Sequence, residues 1–200
     1  MMDRKLVKYQ TLPVWTKDTL PQSFQSKHNT KQGTWAKLTI LEGELKYYAL
    51  DENGDVQLTQ ICSTENPLPL VEPQAWHKVE PLGENLRCFL EFYCLPEHYY
   101  QKKYQLSAPH SEVLEVLKYI QSGDALDLGS GRGRNSILLQ TKGFSVTAFD
   151  KSEAAIAKLQ EIIDAEEECF GIDAKVYDIQ TASIENHYDL IISTVVFQFL

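Results

Sequence analysis

The residues best suited to chemistry lie in ALDLGSGRGRNS, Ala125–Ser136, where an apolar run meets an aspartate and then three glycines at Gly129, Gly131 and Gly133. Glycines after a buried strand let the backbone approach a ligand closely, and the N-terminus of the helix that follows favours negative charge. A dinucleotide fingerprint would place its third glycine three residues after Gly131, where this sequence has Arg134. The G-x-G-x-G spacing suits instead an adenine nucleoside whose tail is an amino acid. Such a ligand needs an acceptor for an ammonium, supplied by Asp127 directly or through water. It also needs N–H groups for a carboxylate, supplied by the turn of Gly129 and Gly131.

Two further carboxylates fall at expected strand ends. Asp150 closes SVTAFD, with Lys151 beside it, where a carboxylate accepts from both ribose hydroxyls. Asp178 closes AKVYD, where it can accept from the adenine amine, with Ile179 and Ile156 placed to sandwich the ring. Thr194, after a fourth strand, completes the set. Taken in order, these residues describe a site for S-adenosyl-L-methionine. Methyl transfer from a sulfonium is an in-line displacement that needs alignment more than covalent help, so no Cys, Ser or Lys nucleophile is expected. Two residues are candidates for the catalytic side. Arg134 is a cation at a helix start, where it opposes the dipole and needs another reason to be there: a contact with the cofactor carboxylate or an oxyanion. His110 lies on the segment entering the domain and is expected to touch substrate.

The elements that must position these residues have two periodicities. From Gly33 to about Cys94, TWAKLTIL, ELKYYAL, VQLTQI, AWHKVEP and LRCFLEFYC read as separate short strands. Asp51–Asp55, with Asn-Gly at its centre, is a hairpin connection, and Pro67, Pro69, Pro73 and Pro81 limit central pairing. An antiparallel sandwich or barrel, cupin-like, is expected over residues 1–100. After the connector EHYYQKKYQL the chain changes to helix and strand in alternation. A helix from Ser107–Ser111 carries Val113, Leu114, Val116, Leu117 and Ile120, with Gly123 as its stop. The strands Ala125–Leu128, Ser145–Phe149, Ala174–Tyr177 and Tyr188–Thr194 alternate with helices from Ser136 to Thr141 and from Ser152 to about Glu168. That is the pattern of a doubly wound, Rossmann-like parallel sheet over residues 107–200. The chain ends roughly 75 residues after the first parallel strand begins, which predicts an incomplete domain lacking the later strands of such sheets.

Composition bounds the partners. A formal net charge of −9 argues against a general nucleic-acid binder, which needs clustered Lys and Arg. No secretory leader and no apolar run of about 18 residues is present, so no membrane partner and a cytoplasmic location are expected. The four cysteines (Cys62, Cys88, Cys94, Cys169) have no metal-ligand spacing and read as buried free thiols. His28, His77 and Glu72 are the nearest approach to a cupin-like metal triad, but without an H-x-H pair no metal is expected. Trp15, Trp35 and Trp76 read as core or barrel-mouth packing.

At this level the sequence resembles a known family. HSEVLEVL, LDLGSGRGRNS, SVTAFDKS and YDLIISTVVFQFL are similar to the TehB family of tellurite-resistance methyltransferases, class I S-adenosylmethionine-dependent enzymes. Arg134-Asn135-Ser136 and STVV after the fourth strand carry the more specific part of the match. VWTKDTLPQSFQSKHNTKQGTWAKLTILEGELKYYAL and VEPQAWHKVEP resemble the β domain of that family's longer form. The resemblance implies methylation of a small acceptor, a tellurium or selenium oxyanion. Two other readings stay open. One is the same fold acting on a thiol, a halide or a metabolite hydroxyl. The other is a non-catalytic module that binds a small anion or the cofactor. A nicotinamide oxidoreductase is disfavoured by Arg134. Exposed sheet edges leave a homodimer open.

Overall fold

A computed structural model of the chain describes residues 5–180 and 183–194. It contains two compact units, dividing after Lys103. The first is antiparallel, with strands β1 (Val7–Thr11), β2 (Trp15–Thr16), β3 (Trp35–Leu50), β4 (Val56–Cys62) and β5 (His77–Cys94), and a short helix α1 (Gln22–Gln25). The sheet order is β1-β5-β3-β4, with β2 pairing β5. The five short runs expected from sequence are therefore three strands, two of them long. TWAKLTIL and ELKYYAL fuse because Gly43, at φ 74°, sits in a register shift between Glu42 and Glu44 instead of ending the strand. The bulge moves the buried face by one residue: Ala36, Leu38 and Ile40 are buried before it, Leu45 and Tyr47 after it. AWHKVEP and LRCFLEFYC likewise join as β5. Pro81 is tolerated there because β1 and β2 reach β5 only at Arg87–Cys94, so Pro81 faces a partner strand on the β3 side alone.

Sequence reasoning placed the first strand after Gly33 and so missed β1 and β2. The expected hairpin joins β3 to β4. Asp51 Oδ1 accepts from the N–H groups of Asn53, Gly54 and Asp55, each at 2.9 Å, and Gly54 takes φ 97°. Buried Leu45, Cys62, Leu86 and Cys88 lie at the centre of the core, with Trp15, Phe24 and Phe92 packed against it. All four cysteines are buried, and burial pushes the Cys88 thiol up to about 11.

The second unit is the parallel one. The first unit ends in a 3-10 turn at Pro96–His98 and helix α2 (Tyr99–Tyr104), in the stretch expected to be a plain connector. Helix α3 (Ser111–Val116) follows, and then β6 (Gly123–Leu128), α4 (Arg134–Thr141), β7 (Phe144–Asp150), α5 (Glu153–Ala165), β8 (Ile172–Val176) and β9 (Leu190–Ser193). The strand order is β8-β7-β6-β9, all parallel. Strand β6 is central, and its residues Ala125–Leu128 are buried. Expected and observed strands differ by a residue or two at their ends, and α5 stops at Ala165, with Cys169 held in a 3-10 turn. Ser152 caps α5, accepting from Ala155 N at 3.2 Å.

Helix α3 is shorter than its periodicity suggested. Val113 is its one buried residue and Leu114 is 49% exposed, so the apolar stripe is not continued by burial. Gly123 does not stop that helix but opens β6 at φ 132°, against Asp189. The Asp189 carboxylate accepts from Asp124 N at 2.9 Å, and Asp189 N donates to Asp124 O at 2.8 Å. That exchange fastens the start of β6 to the entry of β9.

Candidate functional site

A cavity of about 700 Å³ opens at the carboxyl ends of all four parallel strands, and this size falls within the range of about 300–1,000 Å³ usual for small-molecule sites. It lies where the strand order reverses, between β6 and its two neighbours, the usual position for ligands in doubly wound sheets. Each strand end contributes. The turn after β6 gives Gly129 to Arg132, β7 gives Asp150 and Lys151, β8 is followed by Tyr177, Asp178 and Ile179, and β9 is followed by Thr194. Arg134, Asn135 and Gln105–Ser107 complete the wall.

The glycine turn works differently from its sequence reading. Gly129 N and Ser130 N both donate to Phe149 O, at 2.7 and 2.9 Å, Gly131 N donates to Asp150 Oδ2 at 2.8 Å, and Gly133 N to Ser130 O at 3.0 Å. These amides are committed to the loop itself, so the turn of Gly129 and Gly131 does not offer them to a carboxylate. The glycines supply conformation and space. At φ 56°, Gly131 has nothing within 4 Å of where a Cβ would stand. Gly133, at φ 87°, is where a Cβ would collide with Leu159 Cδ1 of α5. The third glycine thus sets the packing of α4 against α5.

Asp127 is fully buried and does not line the cavity. Ser136 Oγ donates to its Oδ2 at 2.6 Å, while Oδ1 has no partner among the described residues. Burial raises its pKa to about 6, against the lowering pull of Ser136. Asp150 is in the wall, where Oδ2 holds Gly131 N and Oδ1 accepts from Ser152 N at 2.8 Å. Each carboxylate oxygen keeps a second lone pair. Asp178 Oδ1 accepts from Gln180 N at 2.9 Å.

Ile156 is buried on α5 and is not in the wall, so it does not sandwich a ring there; Tyr177 stands beside Ile179 instead. The Tyr177 ring stacks on Phe149 at 4.1 Å between centroids and 8° between planes. Sequence reasoning missed Tyr177, although it is the aromatic directly before Asp178. His110 does not line the cavity. Its Nε2 meets the Arg134 guanidinium, which also donates to Ser107 Oγ at 2.9 Å. His110 N donates to Asn135 Oδ1 at 3.1 Å, and Asn135 Nδ2 donates to Thr194 Oγ1 at 3.1 Å. Asn135, 3% exposed, therefore ties the entry segment to the end of β9. Its signal in the sequence was the RNS triplet. Val195 and Val196 of STVV lie outside the described residues. In the β unit, His28 and His77 come together, but Trp35 Nε1 donates to Glu72 Oε2 at 2.7 Å.

Four parallel strands with carboxylates after β7 and β8, a glycine turn after β6 and a cavity with Tyr177 in its wall define a class I methyltransferase architecture. The family description "Tellurite resistance protein TehB" matches residues 92–200, and "TehB-like domain" matches residues 10–90. The chain is 51% identical over 199 residues to the "Probable S-adenosyl-L-methionine-dependent methyltransferase TehB" of Haemophilus influenzae, covering all of this chain and 69% of that protein. It is 37% identical over 153 residues to "Hemagglutinin 1" of Eikenella corrodens, covering 76% of this chain and 50% of that one. The crystal structure of TehB from Haemophilus influenzae superposes with a TM-score of 0.81 at 50% identity, over 99% of this chain and 68% of that chain. The chain belongs to the TehB family of S-adenosylmethionine-dependent methyltransferases.

Proposed function

We propose that this chain binds S-adenosylmethionine in the cavity at the ends of β6–β9 and transfers its methyl group to a small chalcogen oxyanion, tellurite or its selenium analogue, in the cytoplasm. The observation that carries the cofactor site is the convergence of Asp150, Asp178, Ile179 and Tyr177 on one cavity above a glycine turn. Behind the wall, Oδ1 of Asp127, unpartnered among the described residues, fits a cationic ammonium reached through water. Asp150 would hold the ribose through its remaining lone pairs while keeping the glycine turn closed. Asp178 would accept from the adenine amine, with Ile179 and Tyr177 along the ring. Lys151 and Thr194 border the same space. With the amides of Gly129, Ser130 and Gly131 committed, Arg132, Arg134 and Lys151 are cations in the wall that can meet a carboxylate or an oxyanion.

Bound there, the cofactor supplies an electrophilic methyl carbon on a sulfonium. Transfer to a lone pair on tellurium or selenium would release no proton, so no side chain would have to act as a base. The residues contribute alignment and charge. Arg134 also holds, through Ser107 Oγ and His110 Nε2, the segment that forms one wall.

Calorimetric titration with S-adenosylhomocysteine tests the cofactor site. Micromolar binding is expected, abolished by Asp150→Ala and weakened about tenfold by Arg134→Ala, since each loses charge-assisted hydrogen bonds. Binding unchanged in both variants would refute the assignment. A screen of tellurite, selenite, a thiol and a halide as acceptors then tests the substrate, and turnover of the thiol alone would move the reading to a thiol methyltransferase.

A further inference from the structure

The β unit has a cavity of its own, about 260 Å³, walled mainly by apolar and aromatic side chains such as Trp15, Phe24, Leu38, Val79 and Phe92. Its threonines are paired within the protein. Thr30 Oγ1 donates to Glu72 O and accepts from Gln74 N, both at 3.0 Å, and Thr34 Oγ1 accepts from Lys102 Nζ at 2.9 Å. His28 and His77 differ. Their rings stand 4.1 Å apart between centroids, joined by an isolated backbone bridge, and both line the cavity. His28 Nδ1 lies 2.9 Å from Ser26 O and His77 Nδ1 lies 2.8 Å from Ala75 O.

A carbonyl oxygen only accepts, so each Nδ1 carries a hydrogen, and an imidazole that is neutral with its hydrogen on Nδ1 keeps its lone pair on Nε2. Neither Nε2 has a hydrogen-bond partner among the described residues. Two adjacent acceptors in an apolar wall call for a donor. They do not call for an anion: burial pulls the His77 pKa down to about 4, so that ring is neutral at physiological pH. Lys31 also borders the cavity but is exposed to water. Among the described residues no group of three His, Cys, Asp or Glu side chains is arranged to hold a metal ion. A cavity of about 150 Å³ lined by apolar groups takes benzene, so this one has room for a bicyclic body.

We propose that the β unit's cavity binds a small, uncharged, mostly apolar molecule carrying a hydroxyl or N–H donor, held by a hydrogen bond to Nε2 of His77. The site is separate from the methyl-transfer cavity and does not depend on it.

Three probes titrated calorimetrically into the whole chain at pH 7.5 test this: 2-naphthol, 2-methoxynaphthalene, which lacks the donor, and 2-naphthoate, which is charged. 2-Naphthol is expected to bind, and the other two about tenfold more weakly, the worth of one hydrogen bond. Leu38→Trp, which fills the cavity, should abolish binding, and His77→Phe should remove the preference for the donor. The comparison of probes on the unaltered chain holds whether or not either variant folds. No binding of 2-naphthol, equal affinity for all three probes, or binding that survives Leu38→Trp overturns the proposal. So does zinc retained by the unaltered chain and lost in His77→Phe.

Discussion

At the scale of single residues, Asp127 shows how a buried carboxyl can oppose stability. Its carboxyl is raised from 3.8 to about 6 by burial. The folded protein therefore holds a proton that the unfolded chain has released between pH 4 and 6. Stability from this group is present below pH 4 and lost as pH rises through 6. Asp127→Asn should therefore be more stable than the parent at pH 8, by about 2–3 kcal/mol from the size of the shift, and the gap should close toward pH 4. Urea denaturation across that range checks the sign. A parent more stable than the variant at pH 8 would mean that the carboxylate is better solvated than its burial implies. The aspartate itself was plain in the sequence. Its unpartnered oxygen and its place outside the cavity wall were not, because both depend on Ser136 reaching back from α4 to Oδ2.

At the scale of elements, the third glycine is the joint between α4 and α5. Gly133 stands at φ 87° and faces Leu159, so Gly133→Ala adds backbone strain and a clash together. A loss of about 2–4 kcal/mol is expected by equilibrium unfolding. In the double variant with Leu159→Ala the losses should be less than additive, because removing the leucine methyls relieves the clash. Full additivity would show that only the backbone matters. The two long strands of the β unit make the complementary point. Periodicity divided β3 at Gly43 because a glycine between alternating runs looks like a turn. Only pairing with β5 across the shift shows a bulge that carries the strand onward.

At the scale of the whole molecule, the two units respond to acid through different groups. In the β unit, burial lowers the His77 pKa from 6.5 to about 4. The unfolded chain then takes up a proton at higher pH than the folded one. Stability from this group is complete above pH 6.5 and is lost as pH falls through 4, amounting to about 3 kcal/mol. The β unit should lose thermal stability between pH 6.5 and 4, and His77→Phe should flatten that slope. Amide exchange resolved by residue would follow β3 and β5 separately from β6 and β7. An unchanged slope in the variant would assign the effect elsewhere. Among the described residues no helix is long and apolar enough to cross a membrane.

The sequence by itself determined the local grammar of this protein. It held the antiparallel half and the alternating half, the turn at Asp51–Asp55, the cap at Ser152, and carboxylates at the ends of β7 and β8. Each rests on neighbours within a few positions along the chain. Only the tertiary structure decided what those residues face. It committed the turn amides to Phe149 and Asp150, replaced Ile156 with Tyr177 in the cavity wall, and set His110 against Arg134. It also joined His28 to His77 across 49 positions of sequence. Such pairings are fixed by the packing of elements distant in the chain, and no local pattern of hydrophobicity or spacing encodes them.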